Sequence, residues 1–345
     1  MTKTMTSGGA ATLRLRPYRG PIDHAEMTRV ANAVRAYNGD PNLGSVADMD
    51  NHYAHLEHAD LPRDCALVEL DGRVVAYGRA SRQEMITGDR QVECILNIEP
   101  DARGRGVEEL LVRHALERSE AIIVEFGREV AIAVLVFVTS RDEAQLRVVE
   151  AAGFQRVRAG VQLVRPDLED IPEIPLPDGF EIHRIGAADR AMHRKVWEAA
   201  TRAFSESYGE QAQTEDQFDR WLSSDEFNPP LWRVAFHGDS IAAQILNYLG
   251  DPEPDGSRTG WTESISTQPE FRRRGLARAL LAESLRTVRD AGATKAALGA
   301  DSLNPNRAQS LYESMGFEVV STTYDYRLGP FEPGSAPRLV PEAWR

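Results

Sequence analysis

Apolar and polar positions along the chain trace the same order of elements twice. Alternation in LRLRPYRG from Leu13 and in FEIHRIGA from Phe180 predicts a strand opening each half, followed by helix-like sequence. Next come DCALVELDGRVVAYG from Asp64 and LWRVAFHGDSIAAQ from Leu231. Each is a pair of apolar runs across an Asp-Gly or Gly-Asp turn, the signature of a hairpin. NIEPDARGRGVEELLVRHALERS from Asn97 then aligns with STQPEFRRRGLARALLAESLR from Ser266, with Pro100 and Pro269 in register. Downstream, RVVEAAGF ends at Phe154 and SLYESMGF at Phe317. In the second copy Ala277, Leu280, Leu281, Leu285 and Val288 mark one face of a helix. The longest apolar run, Val130–Val138, is about half of what a membrane helix needs and suits a buried strand.

The copies are separated by VRPDLEDIPEIPLPDG, Val164–Gly179, whose four prolines exclude a helix or central strand. The expected division is a first domain over 1–164, a linker over 165–178, a second domain over 179–330 and a proline-rich surface tail over 331–345. Strands and helices alternate in both copies, so each is read as one α/β layer structure, a mixed sheet covered by helices. A chain of 345 residues with 42% hydrophobic and 27% charged positions can bury a core in each half. Its formal net charge of −13, with no densely basic stretch, argues against nucleic acid or an anionic membrane as partner. Two cysteines, Cys65 and Cys94, are too few for a disulfide framework or a cysteine metal site. The N-terminal residues lack an apolar signal core, so a cytoplasmic protein is expected.

The sharpest chemical signal is EFRRRGLARALL, Glu270–Leu281. A plausible strand, GWTESIST, ends at Thr267, and the helix face above begins at Ala277. Arg272–Ala277 is thus a strand-to-helix turn at which the first helical N–H groups are unpaired and the helix dipole is positive. Gly275 admits a close backbone approach and Ala277 leaves room. Arg272, Arg273, Arg274 and Arg278 add charge, and a diphosphate is the natural ligand.

Arg-x-x-Gly-x-Ala after a strand resembles the acyl-CoA pyrophosphate motif of the GCN5-related N-acetyltransferase (GNAT) superfamily. NPNRAQSLYESMGF, Asn304–Phe317, resembles that family's closing Asn…Leu-Tyr-Glu-x-x-Gly-Phe motif. The resemblance covers nearly the whole chain and implies two tandem GNAT domains, each a mixed, mostly antiparallel sheet flanked by helices. This is the tandem arrangement of mycothiol synthase and several antibiotic-pathway acetyltransferases. It further implies acetyl-CoA, or a close acyl-CoA, as cosubstrate and an amine as acceptor, with no metal. By register, the backbone of Ile265, Ser266 and Thr267 would hold pantetheine and polarise the thioester carbonyl. The turn from Arg272 through Gly275, Leu276 and Ala277 to Arg278 would hold the diphosphate, and Asn304 would contact the CoA arm, with Asn306 as its competitor. Tyr312 falls on the family's general acid, and Glu263 resembles its carboxylate base. Glu206, Tyr208 and Glu210 stand where substrate-binding groups are found.

The first copy keeps Arg103, Gly104 and Gly106 but has Glu108 at the position of Ala277 and Val149 at that of Tyr312. A carboxylate beside a diphosphate adds bulk and repulsion, so catalysis is assigned to the second copy. The expected activity is acyl transfer to a primary amine of a small molecule by direct attack. The alternatives are acetylation of a protein or peptide amine, and a non-catalytic acyl-CoA sensor or scaffold.

Overall fold

The computed structural model describes all residues except 1–2, 7–11, 41–42, 57, 85–89, 128, 205–213, 225, 254, 302–307 and 345. In chain order the first half contains β1 (Lys3–Thr6), β2 (Thr12–Pro17), α1 (His24–Asn38), α2 (Val46–Ala54) and α3 (Leu61–Asp64). It continues through β3 (Cys65–Leu70), β4 (Arg73–Glu84), β5 (Arg90–Ile98), α4 (Val107–Phe126), β6 (Ile132–Thr139), α5 (Glu143–Ala151) and β7 (Gln155–Arg165). The second half contains β8 (Glu181–His183), α6 (Arg190–Phe204), α7 (Glu215–Leu222), β9 (Arg233–His237), β10 (Ser240–Pro252) and β11 (Arg258–Thr267). It closes with α8 (Leu276–Asp290), β12 (Lys295–Asp301), α9 (Ala308–Ser314) and β13 (Glu318–Phe331). Both expected hairpins form, β3–β4 across Asp71-Gly72 and β9–β10 across Gly238-Asp239.

The chain divides into two compact units, the first made of Met1–Gly160 with Ser321–Arg345 and the second of Val161–Val320. In the first, strands lie in the order β1-β2-β3-β4-β5-β6-β13; in the second, the order is β7-β12-β11-β10-β9-β8. β5 pairs with β6 and β11 with β12 in parallel, whereas β1–β2, β2–β3, β3–β4, β4–β5, β6–β13, β8–β9, β9–β10 and β10–β11 pair antiparallel. In the first unit α4 lays Leu110, Leu111, Leu116 and Ile123 on one face of the sheet, and α1 lays Met27 and Val30 on the other. In the second, α8 buries Leu276, Leu280, Leu281, Leu285 and Val288, and α6 places Val196 against Trp232 and Leu246. Three layers therefore form in each unit because each sheet is apolar on both faces. Among the described residues no helix is long and apolar enough to cross a membrane.

The units do not divide where the proline runs suggest. Strand β13, expected to complete the second half, pairs from Thr323 to Phe331 with β6 and sends Tyr326 into the core of the first unit. The stretch 165–178, expected to be a linker, packs along the second unit. Leu168 is 3% exposed in its core, and Ile171, Ile174 and Leu176 lie against it. Arg165 holds this strap by donating to the carbonyls of Asp167, Asp170 and Met315. The tail is equally anchored: Leu339 and Val340 are buried in the first core, and both backbone N–H groups donate to Glu120. Proline excludes regular pairing but not burial, since an extended strap still turns the apolar residues between its prolines inward.

Candidate active site

The turn after β11 is built as an anion cradle. Gln268 breaks the strand, Pro269 opens a short 3-10 turn over Pro269–Phe271, and the backbone turns left-handed at Arg273 (φ 64°) and at Gly275 (φ 84°) before α8 begins at Leu276. Glycine suits the second of these positions because a Cβ makes a left-handed backbone costly. A Cβ built there would meet nothing within 4 Å, so the space over the helix start is open. The leading N–H groups of α8 have no intrahelical acceptor, which gives this space its preference for an anion. Leu276, 1% exposed, pins the helix start to the core while Arg273, Arg274 and Arg278 stay exposed. Arg272 departs from the expectation. Its guanidinium donates to the carbonyls of Thr267 and Ala203 rather than standing free over the turn.

Beside this turn the sheet opens. β11 pairs with β12 only from Thr259 to Trp261, opposite Lys295 to Ala297. On its other side β11 pairs with β10 at Ala243↔Thr267 and Gln244↔Ser266, but the next pair is Leu246↔Glu263. One extra residue is therefore accommodated on β11, and Ser264 takes the strain as a non-glycine residue at φ 49°. The bulge re-aims the backbone of Ile265, Ser266 and Thr267. Ile265 packs toward the core and Ser266 is 8% exposed.

Glu263 sits at the opening, its carboxylate accepting the backbone N–H of Gly299 on β12. Burial, with repulsion from Glu226, pushes its carboxyl from 4.5 to about 7, and the Gly299 bond only partly offsets this. Tyr312 on α9, 5% exposed, packs edge-on against Phe317. Burial and the nearby charge of Glu263 both hold its phenol above the ordinary 10. A carboxyl that ionises near neutrality beside a phenol that keeps its proton is the pairing expected of a base and an acid. Glu263 and Tyr312 therefore lie within electrostatic reach of one another. Asn304, Asn306, Glu206, Tyr208 and Glu210 lie outside the described residues. Glu226, Gln268 and the Ser264 bulge were missed in the sequence. The bulge leaves no gap between the copies, since it changes pairing without changing length.

The first unit repeats the backbone of the turn and fills it. Gly104 (φ 72°) and Gly106 (φ 85°) match Arg273 and Gly275. Glu108, 1% exposed, folds back so that its Oε1 accepts the Gly104 N–H at 2.7 Å. Arg103 is held by Asp142 at 2.8 Å and lies over the Tyr37 ring. The chain supplies its own acceptor where the second unit leaves an opening. β4 and β5 pair without interruption from Ala76↔Ile98 to Glu84↔Arg90, so the bulge is absent. Cys94 takes the position of Glu263, its thiol pushed up to about 12 by burial, and Val149 that of Tyr312, fully buried.

Residues 194–317 match the family model described as the acetyltransferase (GNAT) family. The mycothiol acetyltransferase of Acidothermus cellulolyticus is 25% identical over 337 residues, covering 92% of this chain and 96% of that protein. That of Nocardiopsis dassonvillei is 27% identical over 325 residues, covering 87% and 92%. Among solved structures, a GCN5-related N-acetyltransferase from Sphaerobacter thermophilus superposes with a TM-score of 0.70 at 23% identity, over 93% of this chain and 97% of that one. A tandem GNAT protein from the clavulanic acid biosynthesis pathway gives 0.62 at 18% identity, over 93% and 100%.

Proposed function

We propose, on the premise that residues 194–317 form a domain of the GNAT N-acetyltransferase family, that the second unit transfers the acetyl group of acetyl-CoA to a primary amine of a small molecule. The diphosphate binds over Gly275 at the start of α8, against the leading N–H groups, with the exposed Arg273, Arg274 and Arg278 adding charge. Pantetheine lies in the gap where β11 leaves β12, and a backbone N–H at the bulge polarises the thioester carbonyl. Glu263, ionised above about pH 7, takes the proton of the attacking amine. The amine nitrogen bonds to the acetyl carbon as the carbon–sulfur bond breaks, and Tyr312 protonates the departing thiolate. The observation that carries this reading is a Glu263 carboxyl, hydrogen-bonded to Gly299 and raised by burial, within electrostatic reach of the Tyr312 phenol.

The names of the relatives matched over most of their length support a small-molecule acceptor. The filled turn, the unbulged strand and the positions of Cys94 and Val149 support a first unit that takes no part in the chemistry. The test is release of free CoA thiol from acetyl-CoA against a panel of small amines, with peptides as a second arm. Turnover with peptides alone would replace the small-molecule reading. No turnover with any amine, despite tight acetyl-CoA binding, would make the chain an acyl-CoA binder.

A further inference from the structure

Helix α6 is tied to the anion turn by three side chains. Gln268, 2% exposed, donates from Nε2 to the Ala199 carbonyl at 2.6 Å. Arg272 bridges the two elements, its Nε on the Thr267 carbonyl and its Nη2 on the Ala203 carbonyl, each at 3.2 Å. Arg202, in the last turn of the helix, pairs with Glu270 at 2.6 Å. Gln244 on β10 adds a bond from Nε2 to the Val196 carbonyl at 3.0 Å. Residues 196, 199 and 203 follow the three-and-four spacing of a single helix face. Carbonyls inside a helix already accept one N–H, so Val196 and Ala199 use their second lone pair. The Ala203 carbonyl lies at the negative end of the helix dipole, where a guanidinium is favourable.

The same helix covers the reacting face of the sheet. Val196 packs with Leu246, and Leu246 is the cross-strand partner of Glu263. Side chains directly opposite on paired strands share a face, so α6 lies on the side to which Glu263 points. We infer that Arg272 and Gln268 are positioning residues that join the cofactor turn to α6, so that filling the turn and ordering this helix over Glu263 are energetically coupled. The coupling rests on the assignment of that turn to the CoA diphosphate. It is reciprocal: whatever orders α6 tightens the turn, and a ligand in the turn steadies α6.

The experiment uses the full chain, with CoA as probe, measuring CoA affinity by calorimetry and amide exchange over residues 190–204. Arg272→Ala is expected to leave the CoA Kd within about threefold, to speed α6 exchange about tenfold, and to abolish any protection that CoA confers there. Arg272→Lys keeps the charge without the bridging fork and is expected to behave like Arg272→Ala in exchange. Arg278→Ala, at the exposed start of α8, is expected to do the reverse, weakening CoA about fivefold with α6 exchange unchanged. The inference is overturned if Arg272→Ala weakens CoA more than about tenfold and Arg272→Lys restores it, which would make the side chain a phosphate ligand. It is equally overturned if apo α6 exchange is the same in the wild type, Arg272→Ala and Gln268→Ala. That comparison needs no CoA. Failure of the wild type to bind CoA is a separate result and would count against the proposed function instead.

Discussion

Glu263→Gln separates the energetic cost of the candidate base from its chemistry. In the folded protein Glu263 holds its proton to about pH 7, against an ordinary value of 4.5 in the unfolded chain. Between these values the folded state binds more protons than the unfolded state, so stability falls as pH rises. The whole cost is present above pH 7 and absent below about 4.5, and full linkage puts it at about 3 kcal/mol. Glutamine keeps the acceptor for the Gly299 N–H but cannot ionise, so it removes the pH dependence while preserving the contact. Urea unfolding can be followed by tryptophan fluorescence, which reports the second unit because Trp197, Trp221, Trp232 and Trp261 lie in it and only Trp344 does not. The variant should gain about 2 kcal/mol relative to the wild type between pH 5 and pH 8. The kcat/KM of the wild type should rise with pH to a plateau above about 7. Stability curves that stay parallel across this range would show that Glu263 is not held protonated by its site.

Tyr312→Phe should lower kcat at least tenfold with CoA affinity unchanged, because a proton delivered only in the transition state is lost. An unaltered kcat would remove the phenol from the mechanism. Gly275→Val should weaken CoA at least tenfold by calorimetry, since a β-branched residue at φ 84° shifts the turn and intrudes on the open space. Deleting residues 321–345 should unfold the first unit, by near-complete loss of exchange protection in β5 and β6, while α8 stays protected. Leu339 and Val340 alone account for about 3–5 kcal/mol of burial, and strand β13 goes with them. Persistence of a protected β6 in the truncated chain would contradict the assignment of β13 to the first unit.

Much of the fold was legible because its cause is local. The hairpins follow from turn residues between apolar runs, and α8 from apolar spacing behind a glycine that must be left-handed. The repeat itself is a matter of pattern and needs no tertiary information. The features that escaped are those decided by pairing. The Ser264 bulge adds a residue to one strand only once β10 is beside it, and serine carries no sign of a left-handed backbone. Strand β13 has the composition of any edge-covering strand, and nothing local tells which sheet it joins. The proline straps were misjudged because proline announces what a segment cannot pair with, not whether its leucines are buried. At the site, Glu263 and Tyr312 could be found by motif, but the elevation of the carboxyl comes from burial and Glu226, which only the folded chain assembles. Arg272 is the converse case, a motif arginine read as a phosphate ligand whose guanidinium is engaged by backbone carbonyls. Glu108, in sequence a repulsive neighbour for a diphosphate, is in the fold itself the acceptor that fills the first turn.

One half of this duplicated chain keeps an open turn at Gly275, and the other has closed its own with Glu108. CoA stoichiometry by native mass spectrometry, with affinity by calorimetry, tests whether the open turn is the cofactor's on three proteins: the wild type, Ala277→Glu and Arg103→Ala. Ala277→Glu gives the second turn the carboxylate that fills the first. One CoA should bind per chain, Ala277→Glu should lose it, and Arg103→Ala should bind as the wild type does. One CoA that survives Ala277→Glu and disappears with Arg103→Ala would place the cofactor, and the chemistry with it, in the other unit.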